Sequence, residues 1–141
     1  MVLLIDANVI LDYLLVRQPQ YNDVVRLIYY CEKYDIKEYA AFHTISIIWY
    51  HLRKIPIANR RNLLLNVTNL FIVTGASHES VVNAIKNENF PDFEDCLQEK
   101  CALAVNADSI VTNNVKDFKS SEVPAVTPEK MLEIILKIEE E

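Results

Sequence analysis

A chain of 141 residues fits one domain, residues 1–141, and is long enough to bury most of the surface that its unfolded form exposes. With 51% hydrophobic residues, 24% charged residues and a single Gly, the composition excludes a disordered chain. A formal charge of −6 excludes a uniformly basic surface for gripping nucleic acid, although acids that converge on a bound cation can still attract phosphate locally.

The opening run Val2-Leu3-Leu4-Ile5 is short, continuous and apolar, as for a strand buried on both faces of a parallel sheet. Asp6 interrupts it and no basic flank precedes it, so it does not read as a signal peptide; the expectation is a soluble cytoplasmic protein with no membrane association. From Ala7 the apolar residues Val9, Ile10, Tyr13 and Leu14 recur at helical spacing up to a boundary at Pro19, which places Asp6 at a strand-to-helix junction. A second helix is predicted over residues 22–33, with Val24, Val25, Leu27, Ile28 and Cys31 on its apolar side, followed by a short strand over 38–42. A third helix over 44–54 is broken by Pro56, a fourth runs to about residue 69, and residues 70–73 read as a strand.

Ser77 is placed to cap a helix reaching about Lys86. Asp92 is placed to cap the next, which runs to about Val105 with Leu97, Cys101 and Leu103 toward the core. Residues 109–112 form another short apolar strand, followed by the polar loop Asn113-Asn114 and then Lys116-Asp117-Phe118. Residues 123–126 suit a last edge strand, and Thr127-Pro128-Glu129 reads as N-cap, N1 proline and first-turn acid of a final helix ending within 139–141. Alternating strands and helices without repeats or linkers give an α/β fold: a mostly parallel sheet between helices, a three-layer α/β/α sandwich. Cys31, Cys96 and Cys101 are odd in number and lack C-x-x-C spacing, so they read as small core residues rather than disulfides or zinc ligands.

Open α/β sheets bind ligands at the carboxyl ends of their strands, which puts Asp6 and the loop from Asn114 to Asp117 on one edge. Asp92 and Asp95, three residues apart at a helix start, project from its first turn, and Asp95 can aim at the same crevice. Asp6, Asp95 and Asp117 therefore form a candidate cluster. Carboxylates gathered at one point repel one another unless a cation compensates, and hard oxygen donors suit Mg²⁺ or Mn²⁺. Each residue also has a plainer role: Asp6 as a helix cap, Asp92 and Asp95 as N-cap and N3 acid, Asn8, Asn113 and Asn114 as turn residues, Asp117 as a solvated turn acid.

Three segments, in order and spacing, carry a resemblance: Leu4-Ile5-Asp6-Ala7-Asn8-Val9-Ile10, then Asp92-Phe93-Glu94-Asp95 with Leu97 and Gln98, then Ile110-Val111-Thr112-Asn113-Asn114-Val115-Lys116-Asp117-Phe118. Together with the segment from Val123 to Glu129 they resemble the PIN-domain family, in particular its VapC-like toxin ribonucleases. The resemblance implies a Mg²⁺- or Mn²⁺-dependent ribonuclease, an antitoxin protein as partner, RNA as substrate and a homodimer. It assigns Asp6, Asp95 and Asp117 as catalytic and metal-binding residues, with Asn114 completing the metal site and Asn8, Asp92 and Thr112 supporting it. One departure stands out. Family members often carry an acid in the helix before the Leu52-Arg53-Lys54 stretch, and here Ile47 takes that place. His43, Ser46 and His51 are the nearest polar residues and are not assigned as substitutes.

Three functions therefore compete: a metal-dependent endoribonuclease toxin, a degenerate PIN domain that binds RNA or protein without cutting, and an aspartyl phosphotransferase with Asp6 as nucleophile. Asn8 counts against the third, which would want a second acid there. Arg53, Lys54, Arg60 and Arg61 are the densest basic group, readable either as an RNA track or as a solvated face.

Overall fold

The computed structural model describes residues 1–140. Among them are five strands and seven helices in the order β1 (Val2–Ile5), α1 (Ala7–Leu14), α2 (Gln20–Lys33), β2 (Lys37–Ala41), α3 (Phe42–His51), α4 (Ile57–Leu70), β3 (Ile72–Thr74), α5 (His78–Lys86), α6 (Phe93–Ala104), β4 (Ser109–Val111), β5 (Ala125–Val126) and α7 (Pro128–Glu139), with a 3-10 turn at Val115–Phe118 after β4. The sheet order is β3-β2-β1-β4-β5 and every pairing is parallel. The expected mostly parallel sheet is thus entirely parallel, with β5 at the edge where its proline-bearing segment can be tolerated.

Side-chain alternation along the strands splits the core into two. Leu3, Ile5, Ala40 and Val111 face one side, where Val9 and Ile10 of α1, Leu27 and Cys31 of α2, Ile48 of α3 and Ile135 of α7 cover them. Leu4, Ala41 and Ile110 face the other, covered by Ala84 of α5, Cys96, Cys101 and Ala102 of α6, and Phe90 and Phe118. This is the three-layer sandwich. All three cysteines are free and buried, and burial raises each thiol above its ordinary value, consistent with packing rather than reactive roles.

The helix starts follow the expected caps. Ser77 Oγ accepts from Ser80 N at 3.1 Å, and Thr127 Oγ1 accepts from Lys130 N at 3.2 Å with Pro128 opening α7. The final helix ends at Glu139, within the expected 139–141, and Glu141 lies outside the described residues.

Several boundaries and faces differ from the sequence reading. Phe42 opens α3 instead of ending β2, so Thr44 is a buried helical residue rather than the helix start, and α3 stops at His51, three residues before Lys54. Leu70 closes α4, and β3 begins only at Ile72. Val123 and Pro124 precede β5 rather than belonging to it. Val25 and Leu103 are exposed rather than facing the core. In α6 the inward positions next to Leu103 are taken by Gln98, Glu99, Cys101 and Ala102, a polar share that hydrophobic spacing cannot flag. Glu99 is satisfied there, accepting from Glu122 N at 2.8 Å and lying 3.3 Å from Lys100 Nζ. Among the described residues no helix is long and apolar enough to cross a membrane.

Candidate metal centre

The carboxyl ends of β1 and β4 lie side by side, since Ile5 is paired with Val111, and the chain leaves both strands into polar segments. Asp6 N still donates to Val111 O at 2.9 Å, so the first residue beyond β1 is held in strand register when its side chain turns outward. Asp6 Oδ1 accepts from Ala7 N at 2.8 Å, which is the capping role, while Oδ2 accepts from Thr112 Oγ1 at 2.8 Å and from Asn8 Nδ2 at 3.1 Å. The two readings of Asp6 are therefore compatible: one oxygen caps α1 and the residue also lines a cleft.

Thr112 ties the arrangement together. Its backbone N donates to Val126 O at 2.9 Å, and its hydroxyl accepts from Asn114 N at 3.0 Å while donating to Asp6. The Asn8 side chain accepts from Asn113 N at 3.2 Å, so α1 and the loop after β4 are stitched by a reciprocal polar network. Asn113 does more than turn the chain: its amide donates to Asp12 Oδ2 at 2.6 Å, and Asp12 also lies 3.6 Å from Arg17 Nη1.

On the facing wall, Asp92 Oδ1 accepts from Glu94 N at 2.8 Å and from Asp95 N at 3.3 Å, confirming the cap of α6. Asp95 then projects inward from the first turn. A single cleft of about 260 Å³ is lined by Asp6, Asn8, Asp92, Asp95, Asn114 and Asp117. Of the catalytic, metal-binding and supporting residues that the resemblance assigns, only Thr112 is absent from its lining, and Thr112 stands directly behind Asp6.

The electrostatics record the crowding. Burial pushes the Asp6 carboxyl above its ordinary value; bonds from Thr112, Ala7 and Asn8 pull part of that back, and the Asp117 charge adds to it. Asp95 is pushed up to about 7, first by burial and then by the charges of Asp6, Asp92, Asp117 and Glu94. These residues offer carboxylate and amide oxygens, the hard donors that Mg²⁺ and Mn²⁺ prefer, and a cation would relieve the repulsion that raises Asp95. In that chemical sense the residues fit such an ion. Among the described residues, no three acids, histidines or cysteines stand close enough to enclose one in this conformation.

Ile47 also lines the cleft and leaves an apolar stretch of wall among its acids. His51 lines it too, whereas His43 faces a separate cavity and Ser46 Oγ donates to His43 O at 3.0 Å. The sequence reading missed Arg17 and quoted Gln98 only within the family motif, without a role; both line the cleft. The i, i+3 spacing of Asp95 and Gln98 was the available signal for Gln98; Arg17, beyond α1, carried none. The basic group lies elsewhere. Arg60 Nη2 donates to Arg53 O at 3.0 Å and to Ile55 O at 2.9 Å, and its guanidinium stacks over Trp49, so this residue fastens the α3–α4 connection.

The chain is similar in fold to the VapBC2 complex of Rickettsia felis, solved bound to a DNA fragment from its promoter (17% identity, TM-score 0.66, covering 90% of this chain and 98% of that one). It is similar also to VapBC-1 of nontypeable Haemophilus influenzae (19%, 0.65, 92% and 99%) and to PAE2754 of Pyrobaculum aerophilum (18%, 0.63, 97% and 99%). No curated protein matches the sequence. The model of the PIN domain matches residues 2–116, a span that runs from β1 through the loop carrying Asn114 and contains the residues lining the acidic cleft except Asp117, which lies one position beyond it. With the parallel sheet and the acids at its carboxyl edge already in place, that match establishes that the chain belongs to the PIN-domain family.

Proposed function

We propose that this protein is a metal-dependent endoribonuclease and the toxin half of a toxin–antitoxin pair, working in the cytoplasm. The observation that carries the reading is the convergence of Asp6, Asp95 and Asp117, from three distant segments, on one cleft. Asp6, Asp95, Asp117 and Asn114 would hold Mg²⁺ or Mn²⁺. When bound, such an ion neutralises the scissile phosphate and makes a water easier to deprotonate for attack on phosphorus.

The chain's own residues prepare that chemistry. Thr112 and Asn8 fix the Asp6 carboxylate, and Asp92 orients the first turn of α6 so that Asp95 points inward. Arg17, paired with Asp12 at the cleft wall, would meet a phosphate oxygen of the substrate. The two VapBC neighbours support an antitoxin partner. An apolar groove of about 480 Å³ between α3, α4 and β3, with Phe42 74% exposed, favours protein contacts, whether with that partner or in a homodimer.

Titrating Mg²⁺ and Mn²⁺ against the purified protein and its Asp6→Ala and Asp95→Ala variants, with cleavage of a mixed structured RNA followed in parallel, tests the reading. Metal binding and cleavage by the wild type, both lost in the variants, are expected. A wild type that binds RNA yet neither binds metal nor cuts would replace this reading with the second: a PIN domain turned binding module. Ile47 in the cleft wall is what favours that alternative.

A further inference from the structure

Ile47 withholds a carboxylate from the α3 side of the cleft, and the residue that crosses to that side comes from α6. Gln98 follows Asp95 by three positions, which puts both on one helical face. It lines the same cleft and is only 2% exposed. Its Nε2 donates to Thr44 Oγ1 on α3 at 2.8 Å, and Thr44 stands one helical turn before Ile47. This bond anchors the amide. The other end of the amide, Oε1, is buried and has no hydrogen-bond partner among the described residues. A buried acceptor left in that state is costly, so its retention calls for a partner that arrives later.

Arg17, His51 and the amides of Asn8 and Asn114 also line the cleft, and none of them bonds Gln98 Oε1 in this conformation. Asp6, Asp95 and Asp117 are acceptors like the Gln98 carbonyl and cannot satisfy it when ionised. A hard cation with its coordinated waters satisfies all of them together, because carboxylate and amide oxygens are the donors it takes. We propose that Gln98 is a positioning residue of the metal centre, its carbonyl oxygen completing the cation's oxygen environment on the side where Ile47 supplies no acid. The inference rests on the metal-dependent reading above and adds to it a neutral acceptor for the cation's coordinated water. It also gives a reason why a PIN domain can dispense with the α3 acid: a neutral oxygen anchored through Thr44 reaches the same wall from the opposite helix.

The test uses the full chain with Mn²⁺ alone as the probe, its affinity measured by calorimetry, and circular dichroism as the check on folding. Gln98→Met keeps the length and removes the oxygen; it should weaken Mn²⁺ binding about ten-fold or more, the loss typical of removing a group that supports metal ligands. Gln98→Glu should bind at least as tightly as the wild type, and Ile47→Glu placed in the Gln98→Met background should recover the lost affinity. Should Gln98→Met alone fail to fold, the Thr44→Val/Gln98→Met pair, which removes buried donor and acceptor together, takes its place with the same expectation. Unchanged affinity after loss of the oxygen, or a loss that neither rescue recovers, overturns the proposal while leaving the metal centre standing. A wild type that binds no Mn²⁺ overturns the metal centre itself, and this inference with it.

Discussion

The two ends of the parallel sheet each bury a carboxylate, and they do so in different company. At the carboxyl end Asp6 is 6% exposed, held by three donors and joined by other acids around one cleft. Toward the amino end Glu38, opposite Leu3 in β2, is 7% exposed and has Oε1 unpartnered in a cavity whose walls include Ile28, Ile36 and Leu70. Burial pushes Glu38 up to about 7 even with a bond from the Cys31 thiol pulling it down. Asp95 reaches about 7 as well, but with four acidic neighbours contributing. A raised carboxyl is therefore no mark of a site. What distinguishes the cleft is that several acidic oxygens share one opening, where each raises the others.

The comparison is broken most directly by neutralising each end in turn. Asp95→Asn is expected to weaken Mn²⁺ binding roughly 100-fold and to remove RNA cleavage, whereas Glu38→Gln leaves both unchanged; calorimetry and a gel-based cleavage assay read the two effects. Loss of cleavage in Glu38→Gln at undiminished stability would erase the distinction.

Stability should respond at the other end. Because the folded Glu38 holds its proton up to about pH 7 while the unfolded chain releases it near 4.5, the unfolded state binds fewer protons between those values. Stability from this residue is lost as pH rises through that window, and the full penalty is present above pH 7. Glu38→Gln should then be more stable than the wild type by on the order of 3 kcal/mol at pH 8 and indistinguishable from it near pH 4, as measured by urea unfolding at the two pH values.

Thr112→Val sharpens the contrast from the cleft side. It removes the hydroxyl that donates to Asp6 at 2.8 Å, leaving a buried carboxylate oxygen short of a donor, and should cost about 1–3 kcal/mol in the absence of metal. Added Mn²⁺ should recover part of that loss, a rescue with no counterpart at Glu38. The exposed pair Lys130–Glu133 on α7, at 3.2 Å, supplies the floor: Lys130→Ala is expected to shift stability by less than about 0.5 kcal/mol at any pH between 5 and 8.

Local chemistry wrote much of the fold into the chain. The apolar run at Val2–Ile5, the caps Asp6, Ser77, Asp92 and Thr127, and the proline at the start of α7 all act within a few residues, so their roles were legible before any tertiary contact was known. The acids that line the cleft were legible too, because strand ends and helix starts are where an α/β sheet presents polar groups. Boundaries were read less well: Phe42 joined a helix and Leu70 left a strand, since an apolar residue suits either state.

What only the tertiary structure decided is which distant groups meet. The bond from Thr112 to Asp6 spans 106 positions, Asn113 to Asp12 spans 101, and Gln98 to Thr44 spans 54. None of these pairings has a periodicity to reveal it, because each depends on β4 lying beside β1 and on α6 crossing toward α3. Burial of Gln98, Glu99 and Glu38 was hidden for the same reason: composition marks a polar side chain as solvent-facing, and the sheet order determines whether solvent is there. The sequence by itself named the acids and the elements that carry them; the packing of those elements made a cleft, placed Ile47 in its wall, and turned an amide from the opposite helix into part of its lining.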